Sequence, residues 1–96
     1  MLIKVKGFLN LREIIGERGV LELSLEGATL RELLDRLSQD YGDSFYRLLF
    51  DPKTGQLRPE NPILVNGKHY RNLTDSLDTK LQEGDHVAIF PPVAGG

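Results

Sequence analysis

Thr29-Leu30-Arg31-Glu32-Leu33-Leu34-Asp35-Arg36-Leu37-Ser38-Gln39-Asp40-Tyr41-Gly42 reads as a helix with both of its ends written in. Thr29 is an N-cap residue with Glu32 three positions on. In such a capping box the hydroxyl accepts from one early amide and the carboxylate from another. Leu30, Leu33, Leu34, Leu37 and Tyr41 recur at i, i+3, i+4, i+7 and i+11, which draws one apolar stripe along the helix. Gly42 supplies the C-terminal stop. The leucine stripe is core, and Arg31, Glu32, Asp35 and Arg36 form the solvated side. A helix apolar along one side has to lie on something, so the flanking segments decide the architecture.

Upstream, the stretch from Leu2 to Leu9 places Ile3, Val5 and Leu9 on one side and Lys4 and Lys6 on the other, the pattern of a half-buried strand. Val20 to Leu25 alternates in the same way, with Leu21, Leu23 and Leu25 against Glu22 and Ser24. Asn10 to Gly19 between them is expected to be a loop with one apolar clasp at Leu11, Ile14 and Ile15. Downstream, Ser44 to Phe50 predicts a short helical turn that gives Phe45, Leu48 and Leu49 to the core. Asp51-Pro52-Lys53-Thr54-Gly55 is a turn that closes a small hairpin between Phe50 and Leu57. Ile63-Leu64-Val65 is a short strand, Asn66-Gly67 a tight turn and Lys68-His69-Tyr70 the return. Leu73, Leu77 and Leu81 plug a loop or 3₁₀ turn. Glu83-Gly84-Asp85 then turns the chain into a last strand, His86 to Phe90.

These elements make an α+β protein: a mixed sheet with one main helix packed across one face. The first and last strands are expected to be neighbours, since that buries both of their apolar sides against the helix. The layout resembles the ubiquitin-like β-grasp. Residues 1–90 are expected to form the domain and residues 91–96 an extended, flexible C-terminal tail ending in Gly-Gly.

That ending is Phe90-Pro91-Pro92-Val93-Ala94-Gly95-Gly96. Two prolines fix φ twice and stiffen the stem. Two residues without side chains then form a thread slim enough to enter a narrow pocket and offer the carboxylate of Gly96. With Gly at about 7% of residues in general, a Gly pair at a given place arises by chance about one time in a hundred or fewer. The stiff stem in front of the pair favours a tail built for chemistry on Gly96.

Composition removes competing classes. The 96 residues suit a single domain with one modest core. Net charge −2 without a basic run argues against nucleic acid as partner. No stretch approaches the roughly 20 apolar residues of a membrane span, and no secretory signal is visible, so the expected place is the cytoplasm. Zero cysteines removes disulfides, thiolate metal sites and a cysteine nucleophile. His69 and His86 stand 17 positions apart with no third ligand at helical spacing, so no metal site is expected. Asp40, Asp43 and Asp51 flank turns, where Asp is favoured structurally. Lys4, Lys6, Lys53, Lys68 and Lys80 are solvated and are acceptors if the chain is conjugated to itself or to others.

Several blocks resemble the MoaD/ThiS family of ubiquitin-like sulfur carriers, closest to the small subunit of molybdopterin synthase in its long, archaeal-type form. Phe8-Leu9-Asn10-Leu11-Arg12-Glu13-Ile14-Ile15-Gly16 is similar to the family's post-strand segment. Thr29-Leu30-Arg31-Glu32-Leu33-Leu34 is similar to its helix start, and Ile63-Leu64-Val65-Asn66-Gly67 to its central hairpin. Leu81 through Gly96 resembles its ending, and that block is the specific one. The stretch from Phe50 to Pro62 reads as an added hairpin.

The resemblance implies that an E1-like adenylating enzyme (MoaB/MoeB/ThiF-like) uses ATP to activate the Gly96 carboxylate and that a sulfur donor then leaves a thiocarboxylate there. Phe90, Pro91, Pro92, Val93, Ala94 and Gly95 would dock in the partner. The tail would enter a molybdopterin synthase large subunit (MoaE-like) and give sulfur to a pterin precursor in molybdenum or tungsten cofactor synthesis. The chain itself would bind no cofactor, and catalytic groups would belong to the large subunit. Three readings stay open: this one; a ubiquitin-like modifier or a carrier for tRNA thiolation, thiamine or cysteine synthesis; and a non-covalent β-grasp binding module. An edge strand and an apolar tail predict self-association of the isolated protein.

Overall fold

The structure, a computed structural model, describes residues 1–91. Five strands form one sheet in the order β2-β1-β5-β3-β4. They are β1 (Leu2–Gly7), β2 (Val20–Ser24), β3 (Ile63–Val65), β4 (Lys68–His69) and β5 (His86–Ile89). β1 and β2 are antiparallel, with Ile3 opposite Leu23 and Val5 opposite Leu21. β5 lies between β1, to which it is parallel, and β3, to which it is antiparallel. The first and last strands are therefore neighbours, as expected, and the mixed sheet under a main helix is the β-grasp arrangement.

The main helix, α2 (Leu30–Tyr41), begins as its sequence says. The Glu32 amide donates to Thr29 Oγ1 at 3.2 Å and the Thr29 amide to Glu32 Oε1 at 2.9 Å, closing the capping box. Leu30, Leu33, Leu34 and Leu37 are buried against Ile3, Val5, Leu23, Ile63, Val65, Val87 and Ile89 from the sheet. The Gly42 amide returns to the Ser38 carbonyl, and Gly42 itself sits at φ 76°.

Two differences from the sequence reading shape the tail end of the molecule. Asn10 to Gly19 is more ordered than a loop: it holds the one-turn helix α1 (Asn10–Ile14) and a 3₁₀ turn, Glu17–Gly19. Five residues without a side-chain cap have little helical preference of their own. Burial of Leu11 and Ile15 holds them. Leu9 does not continue the inward row of Ile3 and Val5, because β1 ends at Gly7. Gly7 takes the inward place and α1 packs directly on it; a Cβ there would stand 2.8 Å from Ile15 Cδ1 and 3.2 Å from Leu11 Cβ. The chain turns at once and throws Leu9 outward.

The segment from 43 to 62 carries α3 (Asp43–Leu49), whose Phe45 and Leu49 are buried. The hairpin after it is present as a single bridge between Phe50 and Leu57. It also finishes the helix. The last four carbonyls of a helix lack helical partners, and here each is met. Tyr46 O accepts from the Phe50 amide at 2.7 Å, Arg47 O from Arg58 Nε at 3.0 Å, Leu48 O from Asn61 Nδ2 at 2.7 Å, and Leu49 O from the Arg58 amide at 2.7 Å. Asn66 and Gly67 both have positive φ, as a two-residue hairpin turn requires. Tyr70 lies in a 3₁₀ turn, Tyr70–Asn72, instead of extending β4. Leu81 is buried and Leu73 and Leu77 half-buried beneath the loop that follows.

Candidate functional site

The candidate site is the root of the C-terminal tail, and its position follows from β5 lying inside the sheet. Beyond Ile89 the ladders continue on both sides for one more step. The Phe8 amide donates to Ile89 O at 3.1 Å and the Phe90 amide to Pro62 O at 3.0 Å. Pro91 has no N–H to give to either ladder. The described chain therefore ends at a fixed point, one step past a central strand.

Aromatic contacts brace that point. The Phe90 ring is stacked on Phe8, with centroids 4.2 Å apart and planes 6° from parallel. Lys6 Nζ stands 5.0 Å from the Phe8 ring centroid, so cation and two rings form one column. Phe90 is half-buried and Pro91 buried. Of the residues the sequence assigns to the tail site, these two are placed by the structure, and both hold the root. Pro92, Val93, Ala94, Gly95 and Gly96 lie outside the described residues.

Two residues at this root were not picked out by the sequence. Phe8 is the partner of Phe90. Leu9 is 65% exposed and sits at φ 56° and ψ −131°, a backbone conformation that costs a side-chain-bearing residue of order 1–3 kcal/mol. Beside it a groove of about 600 Å³ opens between Leu9, Arg12, Glu13, Gly16 and Arg18. The available signal was Gly7: an inward strand position without a side chain marks a close approach of backbone.

The other titratable candidates have structural duties. Asp40 pairs with Arg36 Nε at 3.0 Å, and Asp43 lies 3.8 Å from Arg47. Asp51 Oδ1 accepts from the Lys53 amide at 2.9 Å, as a turn aspartate does. His69 Nδ1 accepts from the Arg71 amide at 3.2 Å, and His86 is exposed with its amide bonded to Asn66 Oδ1. Lys4, Lys6, Lys53, Lys68 and Lys80 are all exposed. Among the described residues no three His, Cys, Asp or Glu side chains are grouped to hold a metal ion, and no helix is long and apolar enough to cross a membrane.

Comparison with known proteins agrees with this geometry. The model of the ThiS family matches residues 5–96, a span that takes in the tail. Small archaeal modifier protein 3 of Haloferax volcanii is 33% identical over 96 residues, with 100% of both chains covered. Sulfur carrier protein CysO of Mycobacterium tuberculosis is 33% identical over 78 residues, covering 81% of this chain and 83% of its own. Among solved structures, small archaeal modifier protein 1 of Methanosarcina acetivorans superposes with a TM-score of 0.79 at 34% identity, covering 99% of this chain and 96% of the other. Matched by the family model over all but its first four residues, this ubiquitin-like β-grasp chain belongs to the ThiS family.

Proposed function

We propose that the chain is a sulfur carrier that works through the carboxylate of Gly96. The observation that carries the reading is the family match reaching residue 96, joined to a tail root braced by the Phe8–Phe90 stack at the end of a central strand. A carboxylate is a poor electrophile. An E1-like enzyme would join it to the α-phosphate of ATP, releasing pyrophosphate and leaving an acyl adenylate. A hydrosulfide equivalent would then attack the carbonyl carbon, expel AMP and a proton, and leave a thiocarboxylate. This chain contributes the slim tip and its firm mounting, while acids, bases and nucleotide contacts belong to the enzyme. The destination we assign is molybdopterin synthase. There the chain is the small subunit and inserts its tail into a MoaE-like large subunit that holds the pterin precursor.

A second reading is protein modification, in which Gly96 forms an isopeptide bond with a target lysine. The full-length relative named as a modifier favours it.

Intact mass spectrometry of the protein from its own cells, purified without added thiols, tests both. Replacement of one terminal oxygen by sulfur supports the carrier. Whole-chain adducts on lysines of other proteins support the modifier. A plain carboxylate, persisting after ATP, sulfide and the adenylating enzyme are supplied, sinks the carrier. The molybdopterin destination fails separately if cells lacking Gly96 still make the cofactor.

A further inference from the structure

The open groove of about 600 Å³ lined by Leu9, Arg12, Glu13, Gly16 and Arg18 begins directly after Phe8, the residue that braces the root. The α1 segment builds its walls. The Arg12 amide donates to the Leu9 carbonyl at 3.1 Å, so these two stand one helical turn apart. The Arg12 stem lies against Gly19, where an added Cβ would stand 2.7 Å from Arg12 Cγ. Arg18 is the residue before Gly19, so both arginines come together there. Neither guanidinium pairs with a carboxylate among the described side chains. Glu13 shares the lining, which leaves cations in excess among the described lining residues.

Leu9 gives the groove an apolar lip. Its strained backbone holds a large aliphatic side chain out in solvent, with nothing among the described residues to cover it. Above Gly16 the space is open, since no atom lies within 4 Å of where a Cβ would stand. A backbone without side chains could approach closely at that place.

We infer that this groove receives the chain's own last five residues, with the carboxylate of Gly96 held between Arg12 and Arg18. The inference rests on the reading above for a free carboxylate at Gly96, and not for sulfur. The lengths agree. Because the Phe8 amide bonds to Ile89 O at 3.1 Å, Leu9 and Pro91 are no more than about 15 Å apart. Residues 92–96 reach about 16–18 Å beyond Pro91 when extended. The order of residues agrees as well. Val93 is the branched aliphatic group that can cover Leu9, and from it to Gly96 an extended chain runs about 10 Å. Gly95 and Gly96 then pass Gly16, and the carboxylate meets the guanidinium forks that suit its geometry. A short tether supplies the end at an effective concentration in the millimolar range, so a site too weak for a free carboxylate still holds it. A nucleic acid would find too few cations here to hold its phosphates. The end of the free protein is thus folded back and screened until an enzyme draws it out.

The test is nuclear magnetic resonance of the full chain labelled with nitrogen-15. Backbone order parameters of Gly95 and Gly96 are expected above about 0.6, and below it when Arg12→Gln and Arg18→Gln are combined. Removing residues 92–96 should shift the Nε–Hε signals of Arg12 and Arg18. A carboxypeptidase should release Gly96 severalfold faster from the double variant than from the unsubstituted chain. Arg18→Glu alone repeats the comparison if the double variant melts early, since the Arg12 stem packs on Gly19. Free-end order in the unsubstituted chain, order that survives the loss of both arginines, or arginine signals unmoved by truncation overturns the inference. So does order that fades on tenfold dilution, which would assign the groove to the tail of a second copy. The carrier reading is judged apart, by the mass of the full chain after ATP and sulfide.

Discussion

Phe8 and Phe90 lie face to face at 4.2 Å, and through them the first strand holds the last at the point where the tail begins. A stacked pair adds about 0.5–1.5 kcal/mol beyond the area it buries. We predict that Phe8→Ala and Phe90→Ala each cost about 1–2 kcal/mol in urea unfolding and that a double-mutant cycle recovers a coupling of about 1 kcal/mol. Strict additivity of the two would show that the rings do not support each other.

Removing the helix cap has a smaller and separable effect. Thr29→Ala strips the acceptor of the Glu32 amide and is expected to lower stability by about 1 kcal/mol. Glu32→Gln should cost less, since an amide oxygen can still accept from the Thr29 amide. Thermal melts of the three proteins rank them. A larger loss for Gln than for Ala would contradict the capping box.

The contrast between α2 and α1 explains what the sequence could disclose. Cap, stripe and stop of α2 are all local, so periodicity reads them directly. The same holds for the Asn66-Gly67 turn and for the apolar alternation of β1 and β2, whose partners face one common core. Helix α1 has no such local signature; Leu11 and Ile15 give it order through contacts with the distant core and with Gly7. Leu9 was misplaced for the same reason, since alternation continues on paper past the residue where packing bends the chain. Phe90 was legible as part of the tail, but its partner was not. Stacking across a parallel pair of strands leaves no spacing along the chain to detect.

Glycine substitutions separate conformation from space. Gly19 and Gly84 both have positive φ, +67° and +83°, so alanine at either should cost about 1–2 kcal/mol for the left-handed backbone. At Gly84 nothing lies within 4 Å of the added carbon, whereas at Gly19 it would fall 2.6 Å from Gly7 O and 2.7 Å from Arg12 Cγ. Gly19→Ala is therefore expected to be clearly the more destabilising in denaturant titrations. Equal losses would mean that α1 and its turn move aside freely.

Asn61 closes the end of α3 from thirteen residues away in the chain. Asn61→Ala leaves Leu48 O without that donor in a buried place and is expected to cost about 1–3 kcal/mol. Amide exchange should quicken in the last turn of α3 while α2 keeps its protection. Lys53→Ala at the exposed tip of the same hairpin should change stability by no more than about 0.5 kcal/mol. Loss of α2 protection in the Asn61 variant would show that the cap acts on the whole domain.

If the chain is the sulfur carrier proposed above, deleting Gly96 alone should abolish thiocarboxylate formation while leaving the melting temperature as it was, because the stack of Phe8 on Phe90 and the buried Pro91 are kept. Mass spectrometry and a thermal melt on one sample read both halves. Sulfur found on the shortened chain would place the reaction elsewhere.

β5 follows the other four described strands in the chain, yet it fills the middle of the sheet, between strands synthesised before it. Until it arrives, β1 and β3 have no neighbour on their inner sides and the core has no closed floor. A chain that stops short, or that misfolds before β5 docks, exposes two bare strand edges to proteases and chaperones and has no firm mounting for its end. Position in the sheet thus acts as a proofreading step: only a domain completed through β5 brings Phe90 and Pro91 to their place beside Phe8.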